Sequence, residues 1–149
     1  MKHIILAGAF SLVIASVVNG QGLDSALRYS ESGIIAQRVR LAVTAKNIAN
    51  ILTLKDESTG LPYQKRYVVL EPTSDGVRVK SIEKSNEPFS RYLDPDTPQS
   101  DDDGYLQFPN VNLPDEMTNL NYTESMYEAN VTAFKTGKAL YQTAIDALK

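Results

Sequence analysis

The chain has no cysteine, and its one histidine is His3. Without thiols there are no disulfides, no cysteine nucleophile and no zinc–thiolate site. With the histidine confined to the N-terminus, Ser–His–Asp and Cys–His systems cannot be built in the body of the chain, nor can a histidine metal site. Only carboxylate, lysine, tyrosine or Ser–Lys chemistry remains. A basic face is missing too: the formal net charge is -3 and the pI about 5.1. Nucleic-acid binding depends on neutralising phosphates, so no such partner is expected. The long apolar run, Ile4 to Val18, falls short of the ~20 residues a helix needs to cross hydrocarbon. With Lys2 and His3 before it and Val18-Asn19-Gly20 after it, it reads as a secretory signal peptide over 1–20, leading into the periplasm. Cleavage would leave neither histidine nor cysteine.

What is present fits one domain of ordinary size: 149 residues, 42% hydrophobic and 22% charged. Leu23, Leu27, Ile34, Leu41, Ile48 and Ile51 recur at spacings of three, four and seven, which predicts a helix from Leu23 to about Leu52. Ser30, Gln37 and Thr44 interrupt that stripe, and Ala26, Ala36, Ala42, Ala45 and Ala49 let neighbouring helices approach closely. A second helix is predicted from Leu113 or Pro114 to Leu148. Asn112 suits its N-cap, Pro114 its first turn, and Asp115 and Glu116 its dipole. Its apolar stripe reads Leu113, Met117, Leu120, Tyr127, Val131, Phe134, Tyr141, Ile145 and Leu148, broken only by Glu124 and Lys138. That heptad-like pattern predicts helix-on-helix packing.

The stretch between is different in texture, with six of the seven prolines and the turn signals Ser58-Thr59-Gly60 and Ser74-Asp75-Gly76. Tyr67 to Leu70 and Val77 to Ile82 predict a hairpin, and Phe89 to Leu93 and Tyr105 to Phe108 two short strands. The expected fold is α+β: a leader over 1–20, an N-terminal axial helix over 21–53, a β-rich module and connector loop over 54–111, and a C-terminal axial helix over 112–149. Two long helices with a small β insert make a poor globule on their own. Completion by neighbouring subunits is the expectation, with the helices largely disordered until they dock.

Certain motifs carry a family resemblance across Leu23 to Leu148. Ser32-Gly33-Ile34-Ile35-Ala36-Gln37-Arg38 and Asn47-Ile48-Ala49-Asn50 resemble the N-terminal signature of flagellar axial proteins. Gly60-Leu61-Pro62-Tyr63-Gln64-Lys65-Arg66 resembles the segment that follows it. Asp94-Pro95, Gly104-Tyr105 and Pro109-Asn110-Val111-Asn112 resemble the hallmark of one branch, the FlgC family of flagellar basal-body rod proteins. Glu116-Met117, Tyr127-Glu128-Ala129-Asn130 and Lys138 resemble its C-terminal helix. The resemblance implies a structural subunit of the proximal rod, not an enzyme and without cofactor or small-molecule substrate. It also implies terminal helices packed as a coiled-coil-like layer, with the β module outside. Implied partners are copies of the chain, other rod proteins and the rod–MS-ring junction protein. Implied interface residues are Gln37, Arg38, Asn47, Ile48, Asn50, Asn110, Asn112, Met117, Tyr127, Asn130, Val131 and Phe134. The chain departs from the family at Thr97, where His is usual, at Gly137, where Ala is usual, and in its leader-like start.

Other features read more plainly. Asp94, Asp96, Asp101, Asp102 and Asp103 lack the order of a calcium loop, so a solvated acidic loop is expected. Ser81-Ile82-Glu83-Lys84 has Ser-x-x-Lys spacing but lies at the end of a predicted strand without companion motifs. The alternative function that the sequence leaves open is a periplasmic accessory or adhesin-type binding protein that does not polymerise.

Overall fold

The computed structural model describes residues 20–57 and 59–147. The expected leader falls on residues 1–19, outside the described residues, and Gly20 opens the first helix. Six elements follow in order: α1 Gly20–Ala49, β1 Arg66–Thr73, β2 Gly76–Lys84, β3 Ser90–Leu93, β4 Tyr105–Phe108 and α2 Leu113–Asp146. The two long helices and the β module between them make the fold α+β. Among the described residues, no helix is long and apolar enough to cross a membrane.

Helix α1 ends at Ala49, three residues before the predicted Leu52. There Asn50 folds its side chain back to donate to the Lys46 carbonyl, at 2.8 Å, and accepts from Thr53 Oγ1. Helix α2 starts as expected. Asn112 is extended, its side chain accepts from the Asp115 N–H, and Pro114 occupies the first turn. Gly137 leaves the helix unbroken to Asp146; the predicted end, Leu148, lies outside the described residues.

Two antiparallel hairpins make up the β module. In the first, Thr73 pairs with Gly76 across a two-residue turn, Ser74-Asp75. Lys80 is an extra residue between the Val69–Ser81 and Leu70–Val79 pairs, a bulge that sharpens the strand's twist. This hairpin lies along α1. Its base is bonded at Asn47 and its tip at Ser32, whose hydroxyl accepts from the Val77 N–H at 3.2 Å. Gly76 has φ +119°, and a Cβ there would sit 2.2 Å from Ser32 Oγ, so the close approach needs glycine.

The second hairpin pairs Ser90 with Phe108 and Leu93 with Tyr105. Its long connection, Asp94 to Gly104, keeps Asp96, Asp101, Asp102 and Asp103 exposed, as expected of a solvated acidic loop, and is ordered by internal hydrogen bonds. The Asp94 N–H donates to the Gly104 carbonyl, and Asp101 Oδ1 accepts from the Asp103 and Tyr105 N–H groups. Arg91 pairs with Asp101 at 2.8 Å and lies over the Tyr105 ring. The Tyr105 amide, more than any other group, holds the Asp101 carboxyl below the usual carboxylate range, and Arg91 adds to it.

Little of the chain is deeply interior. Among the described residues the buried apolar side chains include Ala36, Val43, Tyr63 and Leu106, with Pro62 and Pro109, and alongside them lie the polar residues Gln37, Thr44, Asn47, Ser85, Glu116 and Thr123.

Candidate functional site

The helices pack antiparallel along a seam with a seven-residue period. On α2 its most buried positions are Glu116, Thr123 and Gly137, with Asn130 half-buried between them. Leu120, Tyr127 and Phe134, also half-buried, alternate with these, so the seam steps by three and four as a coiled-coil face does. Close approach is achieved with glycine on both sides. A Cβ on Gly33 would lie 2.7–2.9 Å from the Asn130 amide, and one on Gly137 2.9 Å from Leu27 Cδ2. The departure from alanine at Gly137 is thereby explained: the position faces Leu27 and Leu23 of α1.

The continuous stripe predicted for α2 is split by this arrangement. Leu120, Tyr127 and Phe134 join the seam, whereas Leu113, Met117, Tyr141 and Ile145 are exposed. Tyr122, Met126 and Leu140 are exposed as well. Helix α2 therefore gives its deepest positions to carboxylate, hydroxyl and glycine, while seven of its large apolar side chains stay exposed.

At one end of the seam four segments meet on Asn47, which is 1% exposed. Its Oδ1 accepts from Tyr63 Oη at 2.9 Å and from the Arg66 N–H at 3.0 Å. Its Nδ2 donates to the Arg66 carbonyl at 2.8 Å and to Glu116 Oε2 at 2.9 Å. Two donated and two accepted bonds complete what a buried amide can make. Glu116, equally buried, has Lys65 Nζ 2.9 Å from its other oxygen. The charge is thus both paired and hydrogen-bonded, the condition for keeping a carboxylate inside. Burial raises the Tyr63 hydroxyl above its ordinary 10.0, with Arg66 working against it and Glu116 and Asp56 adding to it. Asn110 extends the node by accepting from the Lys65 N–H at 2.7 Å and donating to the Glu87 carbonyl at 2.8 Å.

The twelve residues expected at an interface fall into groups. Asn47, Asn110 and Asn112 bond within the subunit, and Asn47 engages both of its donors and both of its acceptor positions there. Asn50 and Asn130 bond back to their own helix, to the Lys46 and Met126 carbonyls. Gln37 is buried and accepts from Arg40. Ile48, Tyr127, Val131 and Phe134 are half-buried, and Arg38 and Met117 are exposed. Sequence reasoning placed Tyr63 and Lys65 only within a family motif, read Glu116 for the helix dipole and that family's C-terminal helix, and gave Thr123 no role in a site. The legible signal was the polar heptad Glu116, Thr123, Asn130, Gly137. Ser81 donates to Glu83, while Lys84, three positions along the strand, belongs to the other face, so no Ser–Lys pair forms. Among the described residues no carboxylate cluster is arranged to hold a metal ion.

Comparison with known proteins agrees with this architecture. Residues 27–53, most of α1 and its end, match the model described as "Flagella basal body rod protein". Residues 102–147, from β4 through α2, match "Flagellar basal body rod FlgEFG protein C-terminal". The chain is 32% identical to the flagellar basal-body rod protein FlgC of Borreliella burgdorferi, over 86% of this chain and 99% of that protein. It is 30% identical to FlgC of Bacillus subtilis, over 80% of this chain and 94% of that one. With FlgC of Aquifex aeolicus it shares 33% identity, over 84% and 96%. These relatives are structural rod proteins, and a non-polymerising accessory or adhesin is not favoured. With two terminal helices on a polar seam and those matches at both ends, the chain belongs to the FlgC family of flagellar basal-body rod proteins, structural subunits of the bacterial flagellar basal body.

Proposed function

We propose that the chain builds the proximal rod in the periplasm by packing the outward faces of α1 and α2 against copies of itself and other rod proteins. The terminal helices form the coiled-coil-like layer, and the innermost copies meet the rod–MS-ring junction protein. The carrying observation is the inversion of α2, whose inner positions are Glu116, Thr123 and Gly137 while Met117, Tyr122 and Leu140 stand in water. Each such side chain contributes roughly 1.5–3 kcal/mol when fully covered, so repeated lateral contacts stiffen a shaft that carries torque. Arg38, Ile48, Met117, Tyr127, Val131 and Phe134 retain surface for those contacts. The apolar run from Ile4 to Val18 supports a cleaved leader and the periplasmic route.

Substitution at Ile48 or Val131 would mix folding with assembly, because both are half-buried. Exposed positions separate the two. Met117→Asp combined with Leu140→Asp should leave the helical circular dichroism of the purified chain unchanged and abolish incorporation into isolated basal bodies. Rods of normal content from that double variant refute the outward-packing reading.

A further inference from the structure

Between α1 and β2 lies a cleft of about 350 Å³ lined by Val39, Ala42, Val43 and Ile82, with Arg38, Lys46 and Arg66 around it. Ile82 is 50% exposed although it belongs to the hairpin packed on α1. Among the described residues, none of the three cations has an ion-pair partner, and Arg66 Nε, shielded from solvent, has no hydrogen-bond acceptor. Four other cations are paired, Arg28 with Asp24 and Asp75, Lys65 with Glu116, Arg78 with Glu71 and Arg91 with Asp101, but the three at the cleft stand together beside an apolar floor. An apolar floor with unmatched positive charge calls for an apolar ligand flanked by carboxylates. The cleft is too small for a helix, whose diameter with side chains is about 10–12 Å.

The chain carries such a ligand on its second hairpin. Tyr92 and Leu93 are 61% and 67% exposed, and the adjoining loop presents Asp96, Asp102 and Asp103. That loop is held in shape by Asp94 and Asp101, leaving the other three carboxylates outside its hydrogen bonds. No residue of this hairpin lines the cleft of its own chain. We propose that the tip of the second hairpin of one copy, with Leu93 leading, seats in the α1–β2 cleft of the next copy, its carboxylates meeting Arg38, Lys46 and Arg66.

Two different patches meet in this contact, so it is heterologous and generates an open helical array rather than a closed dimer. It rests on the reading that the chain polymerises, adding a second, outer contact to the helical one. Opposite charges also fix the register and direction of entry.

The absence of cysteine makes the test direct. A chain carrying Ile82→Cys and Leu93→Cys together, assembled in cells and mildly oxidised in isolated basal bodies, should give a ladder of disulfide-linked multimers of its own mass. Either single variant should give none. In parallel, Arg38→Glu with Lys46→Glu should lower incorporation roughly tenfold or more, since like charges brought together cost several kcal/mol. Adding Asp96→Lys and Asp102→Lys should restore it. Rods that form normally but give no ladder overturn the hairpin contact while leaving the rod reading intact. Crosslinks to a protein of another mass, or charge reversal without rescue, overturn the docking between copies. Absence of the unsubstituted chain from the rod overturns the rod reading and this contact with it.

Discussion

Replacing Asn47 with alanine removes one side chain and disconnects four segments. The amide satisfies Tyr63 Oη, the Arg66 N–H and carbonyl, and Glu116 Oε2, all within 2.8–3.0 Å. A buried partner left without its bond costs more than the net worth of the bond itself, about 1–3 kcal/mol for each group. The cleft beside the node is about 120 Å³ and touches Asn47, Arg66 and Glu116, so water can reach some of those groups and lower the loss. The expected destabilisation is about 3–5 kcal/mol, large beside the roughly 5–15 kcal/mol of an ordinary domain. Urea unfolding of the purified chain, followed by circular dichroism, measures it. Asn50→Ala is the matched control: its amide bonds Lys46 and Thr53 at a partly solvated helix end, and a loss of roughly 1 kcal/mol is expected. A loss below about 1 kcal/mol for Asn47→Ala would refute the view that this node ties the helix pair to the β module.

Two further predictions concern the same seam. Gly33→Ala gains about 1 kcal/mol of helix propensity but drives a Cβ to within 2.7–2.9 Å of the Asn130 amide, which is bonded to the Met126 carbonyl. Overpacking of about 1–3 kcal/mol prevails, so thermal melting should fall by a few degrees, whereas Gly22→Ala, with nothing within 4 Å, should not lower it. The Tyr63 hydroxyl, raised above 10.0 chiefly by burial, contributes stability that is complete below its unfolded value and lost as pH rises through the folded one. Stability measured into the alkaline range should therefore decline more steeply for the unsubstituted chain than for Tyr63→Phe; equal slopes would count against it.

Local chemistry in the sequence placed most of the elements. The cap at Asn112, the turn signal Ser74-Asp75-Gly76 and the β-branched runs around it correspond to α2 and the first hairpin, whose strands pair closer to the turn than those runs implied. Helix α1 was placed within three residues at each end. The inward face of α2 was only partly legible: Leu120, Tyr127 and Phe134 of the predicted stripe do line the seam, but Glu116, Thr123 and Gly137 lie deeper. Apolar periodicity finds the inside only where apolar residues go inside, and a chain whose outer faces are destined for neighbours breaks that link. Gln37 and Thr44, read as interruptions of the α1 stripe, are among its most buried residues. Glu116, read as complementing the helix dipole, is the buried partner of Asn47 and Lys65. Asn47 was recognised through the family motif, but its internal duty depends on Arg66 and Glu116, distant in sequence and near only after folding.

The small apolar interior of this subunit has a mechanical corollary. An oil-like core yields gradually when sheared, because dispersion and burial vary smoothly with displacement. Here a few directional bonds around Asn47 hold helix to hairpin, and such bonds weaken steeply with distance and angle. The free molecule is accordingly brittle: it keeps its shape under small loads and lets go abruptly once the amide at position 47 is pulled out of line.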